Sequence, residues 1–222
     1  MLVFEPTSRY QNVTKRRGVE KLTPARALIL EAVRRYWVVG NECSLLEIQK
    51  LAWFLDLAIQ KLNMDDPFDL RFQAGKYGPY TDRLRHLLDS LDGSYLHCEK
   101  RLADAGPADI IWFDQDRKDK VKAYLNSGEA RQYSDALNQV GDIIDGFQSP
   151  LGMELLASVS WLLIRGGYEP NLESVKAGLR HWSGGRASAR RKERLFDDHM
   201  IQAAIERLAD LPAGRRAAAS EL

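Results

Sequence analysis

Residues 44–62 constrain this chain more than any other stretch. Ser44-Leu45-Leu46-Glu47 has the form of a capping box, in which serine and glutamate satisfy each other's free backbone donors at a helix start. Behind it Leu45, Ile48, Leu51, Ala52, Leu55, Ala58, Ile59 and Leu62 recur at helical spacing in a nearly unbroken stripe. A helix so covered belongs at the centre of a core. From Phe68 the period changes to two, with Phe68, Leu70, Phe72 and Ala74 on one side and Asp69, Arg71 and Gln73 on the other, which predicts a half-buried strand. Gly75 and Gly78-Pro79 break it, and Tyr80-Thr81-Asp82 leads into a helix with Leu84, Leu87, Leu88 and Leu91 inside, stopped at Asp92-Gly93.

The remaining segments are built around this block. Thr23-Pro24, an N-cap residue before a proline, starts a helix carrying Leu28, Ile29, Ala32, Val33, Tyr36 and Trp37 that stops near Gly40-Asn41. Residues 94–99 and 110–113 are β-like and joined by a loop, a long hairpin. Asp114 is placed to cap a helix through Val121, Tyr124 and Leu125, and a longer one follows Ser127-Gly128, through Tyr133, Leu137, Val140, Ile143, Ile144 and Phe147. Pro150 restarts the chain into a helix apolar almost all round, ended by Gly166-Gly167. A short helix with Leu172, Val175, Leu179 and Trp182 and a final one with Leu195, Met200, Ile201, Ala204, Ile205 and Leu208 complete the pattern. The expected class is α+β, mainly α: a helical domain with a short antiparallel sheet or hairpin. Residues 1–21 read as an N-terminal arm, 22–211 as the domain and 212–222 as a flexible tail.

A chain of 222 residues supports one substantial core. With 32 Lys plus Arg against 31 Asp plus Glu, the molecule lacks the overall basic bias of a nucleic-acid binder, so charge has to be read locally. No run approaches the roughly 18 apolar residues of a membrane span, and Met1-Leu2-Val3-Phe4 is too short for a signal peptide, so a cytoplasmic protein is expected. Cys43 and Cys98 have no partner at metal or redox spacing and read as reduced thiols. Phosphate-loop, dinucleotide-loop, nucleophile-elbow and zinc-helix motifs are absent from the sequence. Asp197-Asp198-His199 is the nearest metal-like cluster, but adjacent residues of a helix diverge. Absence of motifs does not exclude an enzyme, but it singles out no catalytic residue, metal, cofactor or small-molecule substrate.

Local charge is uneven. Asp89, Asp92, Glu99, Asp104, Asp109, Asp114 and Asp116 face only Lys100 and Arg101 across the expected hairpin region. A winged-helix wing of that sign would be repelled by phosphate, whereas an acidic edge suits a partner's basic groove. The balance reverses toward the C-terminus, where Arg186, Arg190, Arg191 and Lys192 are the candidates for a nucleic-acid contact. At the corner Lys76-Tyr77-Gly78-Pro79-Tyr80, glycine and proline explain the turn, and Lys76, Tyr77 and Tyr80 are the residue types of interface anchors.

The order of segments resembles the C-terminal toxin-binding domain of DarG antitoxins, of the DarT–DarG toxin–antitoxin system. The matching stretches are Leu22-Thr23-Pro24-Ala25-Arg26-Ala27, the helix from Leu45 through Gln49-Lys50-Leu51-Ala52-Trp53-Phe54, Tyr77-Gly78-Pro79-Tyr80 with Leu84-Arg85-His86, Gly146-Phe147-Gln148-Ser149-Pro150 with Leu151-Gly152-Met153-Glu154-Leu155-Leu156, and a tail with Trp182, Arg191-Lys192, Phe196 and His199. The Gln-Lys-Leu-Ala helix and Tyr-Gly-Pro corner are also similar to the broader SocA-type, Panacea-like antitoxin domain. DarG-like proteins carry an N-terminal macro domain that removes ADP-ribose from DNA; this chain departs from that pattern, and Val3-Phe4-Glu5-Pro6 looks like the closing strand of such a domain. The resemblance implies a non-enzymatic antitoxin module that covers the single-stranded-DNA cleft of a DarT-like ADP-ribosyltransferase toxin. Its expected contacts are the acidic residues above with Lys76, Tyr77 and Tyr80. The alternative is a DNA-binding autoregulator of a toxin–antitoxin operon.

Overall fold

The computed structural model describes residues 21–38 and 42–209. The expected arm up to residue 20, the 212–222 tail and the Gly40-Asn41 stop lie outside the described residues. Helix α1 spans Pro24–Val38 and α2 spans Leu45–Lys61. The capping box forms as its sequence dictates: Ser44 Oγ accepts from Glu47 N, and the Glu47 carboxylate accepts from Ser44 N at 2.8 Å. Glu47 is buried, and it also takes the Tyr36 hydroxyl at 2.5 Å, so its charge is spent on hydrogen bonds that pin α1 to the start of α2.

Helix α2 is the core. Its Ile48, Leu51, Ala52, Trp53, Phe54, Leu55, Ala58 and Ile59 are all buried, against α1, α5 (Ser134–Ile144) and α6 (Pro150–Ile164). An all-round apolar helix needs neighbours on every side, and a buried indole needs a hydrogen-bond partner. Trp53 has one, donating to Ser160 Oγ of α6 at 2.8 Å while its ring packs on Phe72 and Trp161. Helix α6 begins as expected at Pro150, capped by Ser149, whose Oγ accepts from Gly152 N at 3.0 Å.

The two sheets are shorter than the pattern predicts. Strands β1 (Gln73–Gly75) and β2 (Gly78–Tyr80) form a hairpin with Gln73 opposite Tyr80 and Gly75 opposite Gly78, leaving Lys76 and Tyr77 as its turn. The strand expected from Phe68 therefore begins only at Gln73. The reason is local: the Asp66 carboxylate accepts from Phe68 N and Asp69 N, and Asp69 is left-handed at φ 47°, a turn that a ladder cannot continue. Phe68, Leu70 and Phe72 still pack against the core, so the alternation reports burial without pairing.

After α3 (Arg83–Leu91), β3 (Leu96–His97) pairs antiparallel with β4 (Trp112–Phe113), as expected of residues 94–99 and 110–113. Asp114 caps a 3-10 turn, Gln115–Arg117, ahead of α4 (Lys118–Leu125), and Gly128–Tyr133 is a second such turn ahead of α5. Helix α7 spans Leu172–Arg180. The single final helix expected is two, α8 (Arg186–Leu195) and α9 (Asp198–Arg207), because Phe196 is extended and Asp197 caps α9 through Met200 N at 2.8 Å. The fold is α+β and mainly α, and no helix of the described residues is long and apolar enough to cross a membrane.

Candidate functional site

A cleft of about 340 Å³ opens between the first turns of α2 and the β1–β2 hairpin. Leu45, Leu46, Gln49 and Lys50 form one wall, the turn from Gly75 to Gly78 with Tyr80 forms the other, and Arg85 and Pro107 close the rim. Hydrogen bonds hold these parts in place. The Gln49 amide clips Thr81, donating to its carbonyl at 3.0 Å and accepting from its N–H at 3.1 Å. Trp182, between α7 and α8, donates its indole N–H to Gly75 O at 2.9 Å, and Arg85 holds the rim loop through Ala103 O and Ala105 O.

Gly78 is required where it stands. Its φ of 99° suits glycine alone, and a Cβ would lie 3.1 Å from Ser158 Oγ and 3.4 Å from Lys50 Cε. That close approach lets Lys50 Nζ donate to Pro79 O at 2.8 Å.

Beneath the hairpin lies a buried charge cluster. Lys192 of α8 is fully buried and donates to Glu154 and to Ser158 Oγ, each at 2.9 Å, while its ammonium lies 4.8 Å from the Trp182 ring. Arg191 pairs with the same carboxylate, and its guanidinium sits 4.9 Å from the Tyr77 ring, which also has Lys76 Nζ 5.1 Å away. Burial in apolar surroundings, reinforced by Lys192 and opposed by Glu154, pushes Lys50 down to about 7. Lys192 is also lowered by burial, although Glu154 pulls it back. Two ammonium groups and a guanidinium thus share the field of one buried carboxylate.

Of the residues expected from sequence, Lys76, Tyr77 and Tyr80 do meet at this cleft. The acidic residues do not join them. Asp92 accepts from Leu102 N, Asp109 from Gly106 N and Lys100, and Asp114 from Asp116 N with His97 at 3.5 Å. Asp89, Glu99, Asp104 and Asp116 are exposed. On α8, Arg186 and Arg190 are exposed, but Lys192 cannot touch a nucleic acid, because amphipathic packing turns it inward onto Glu154. Among the described residues no group of three or more His, Cys, Asp or Glu could hold a metal ion; in the Asp197-Asp198-His199 cluster, Asp197 caps α9 and Asp198 pairs with Lys176 at 2.8 Å. Gln49, Lys50, Arg85, Glu154 and Ser158 are the site residues that sequence reasoning missed. The available signal was the adjacent polar pair Gln49-Lys50 within a mainly apolar buried helix.

No family model matches the chain. It is similar to proteins named DNA ADP-ribosyl glycohydrolase. Those of Mycobacterium tuberculosis (strain ATCC 25618 / H37Rv) and Mycobacterium bovis (strain BCG / Pasteur 1173P2) are 35% identical over 209 residues, covering 86% of this chain and 54% of theirs. That of Thermus aquaticus (strain ATCC BAA-2747 / Y51MC23) is 29% identical over 188 residues, covering 84% of this chain and 49% of its own. The chain spans about half the length of the curated relatives it matches.

These relatives overturn three expectations. They carry the name of a hydrolase, not of a toxin-binding antitoxin domain, and neither toxin neutralisation nor operon autoregulation is favoured by them. The expectation of a non-enzyme conflicts with the same names. The acidic region is the physical origin of the error: a run of acids reads as a docking edge, whereas Asp92, Asp109 and Asp114 serve backbone donors close to them in the chain. The cleft is a different kind of place. Its lining combines two tyrosines, three cationic side chains and apolar walls, and includes no carboxylate among the described residues.

Proposed function

We propose that this chain acts in the removal of ADP-ribose from DNA, and that the cleft beneath the β1–β2 turn holds the ADP-ribosyl group. The observation that carries this reading is the 35% identity, over 86% of the chain, to proteins named for that reaction. The chemistry of the cleft is compatible with it. A volume of about 340 Å³ lies within the range of small-ligand pockets, roughly 300–1,000 Å³. Tyr77 and Tyr80 offer ring faces to a base, and Lys76 and Arg85 offer positive charge to a diphosphate at the rim. Leu45, Leu46 and Pro107 keep the opposite wall dry.

The test is direct. Purified chain is incubated with a single-stranded oligonucleotide carrying ADP-ribose on one base, and free ADP-ribose is followed by chromatography. Release is expected, and Tyr77→Ala should slow it at least tenfold, the loss of about 1.4 kcal/mol from one stacking contact. An oligonucleotide that keeps all of its ADP-ribose at an excess of chain refutes the reading.

A further inference from the structure

A second groove, of about 560 Å³, lies where α1, α4 and α5 meet. We propose that it holds the phosphate backbone of a DNA strand, whatever the base sequence. The choice of DNA rests on the reading above; the affinity for phosphate rests on the groove alone.

Four cations line the groove against one carboxylate among the described lining residues. Arg34 and Arg35 come from the C-terminal half of α1, Lys118 and Lys122 from α4, and Glu31 is the acid. The lining therefore has three positive charges in excess, where the whole chain has one. Lys118 and Lys122 are exposed and four residues apart, so both ammonium groups stand on the same side of α4.

Glu31 aims the arginines more than it cancels them. It is buried, and its carboxylate accepts from Arg34 Nε and Arg34 Nη2, each at 2.7 Å, and from Arg35 Nε at 2.8 Å. Arg35 Nη1 donates in turn to Asn138 Oδ1 of α5 at 2.9 Å. Nη1 of Arg34 and Nη2 of Arg35 are outside these bonds. Burial raises the Glu31 carboxyl, but the hydrogen bonds from the two arginines outweigh it and hold the group below its ordinary range, so the clamp stays charged at neutral pH. Guanidinium groups fixed in advance lose little freedom when they bind a phosphate.

The rest of the lining favours backbone over base. Asn126 and Ser134 add polar groups at the groove, and no aromatic ring for a base to stack on is among the described lining residues. Contacts of this kind position a strand and carry no sequence information.

The test is fluorescence anisotropy with a labelled, unmodified single-stranded oligonucleotide of about 12 nucleotides, titrated with the full chain at several salt concentrations. If the strand matches one phosphate to each excess charge, the logarithm of the association constant should fall against that of salt with a slope of about −2. Lys118→Ala combined with Lys122→Ala should weaken binding at least about tenfold at low salt and reduce the slope by about 1.4. Both side chains are exposed, so the fold should survive, and circular dichroism checks that it does. Absence of binding by the wild-type chain at low salt overturns the proposal. So does binding that the double variant leaves unchanged, or that is lost instead through Arg186→Ala with Arg190→Ala on α8. Displacement of the strand by inorganic phosphate at matched ionic strength overturns the strand in favour of a small phosphorylated ligand. Because this oligonucleotide carries no ADP-ribose, the two readings fail separately. Release of ADP-ribose without groove-dependent binding removes only the groove, and groove-dependent binding without release removes only the hydrolase.

Discussion

The hairpin β1–β2 and the hairpin β3–β4 are each a single antiparallel pair of strands, and they are opposite in how they use charge. The first is tied down by side chains distant in sequence: Gln49 and Lys50 from α2, Trp182 beside α8, and the Glu154–Lys192 cluster under Gly78. The second is surrounded by acids, and Asp92, Asp109 and Asp114 each serve a backbone group within about one loop of themselves. Charge taken out of water is costly and persists only where partners are supplied, whereas an exposed acid changes little when removed. The proposed function accordingly uses the first hairpin, although the second has the louder charge signal in the sequence.

The largest expected effect concerns Lys50. Its folded value near 7 lies below the ordinary 10.5, so between those limits the unfolded chain binds more protons than the folded one. Stability is then lowest at and below pH 7 and rises as pH climbs toward 10.5, by up to about 5 kcal/mol at 1.36 kcal/mol per unit. Urea midpoints at pH 6.5 and 9.5 check this, and Lys50→Met should flatten the difference. Parallel profiles for the two proteins would mean that the ammonium is well solvated and that the contrast between the hairpins is overdrawn.

Glu154→Ala comes next. It leaves Lys192 and Arg191 without the carboxylate that both use, and breaking a buried pair from one side costs about 3–5 kcal/mol. Denaturant unfolding at pH 7 measures it. Gly78→Ala should cost less, about 1–3 kcal/mol, from the strained φ and the 3.1 Å approach to Ser158 Oγ. If Gly78→Ala also slows ADP-ribose release while fold and stability stay close to wild type, the glycine is setting the shape of the cleft.

Much of the architecture could be read from residues alone, because it follows from local rules. The Ser44–Glu47 capping box, the Pro24 and Pro150 helix starts and the apolar α2 all form where their patterns place them. The β1 boundary was not legible, since the competing Asp66 turn and the left-handed Asp69 leave the alternation of Phe68, Leu70 and Phe72 unchanged. The α8–α9 break was hidden because Asp197 read as one member of a metal-like cluster, not as a cap. The corner Lys76-Tyr77-Gly78-Pro79-Tyr80 gave half of the cleft. The charge cluster beneath it depends on Lys192 pointing inward, a fact of packing that separates it from Arg190 two positions earlier, which is exposed. No spacing rule says which cation of a basic run will be buried; the position of Glu154 on another helix decides it.

The smallest expected effect is the most discriminating for the second hairpin. Asp109 accepts from Gly106 N and lies 2.8 Å from Lys100, and those two contacts hold its carboxyl below the usual range. Both partners are close in the chain and the pair faces solvent, so Asp109→Ala should lower stability by no more than about 1 kcal/mol. Part of that loss should vanish in 1 M salt, where the screening length falls to roughly 3 Å. Stability that instead drops by several kcal/mol, with no dependence on salt, would place Asp109 in a buried network like that of Glu154. The two hairpins would then differ in sequence more than in physics.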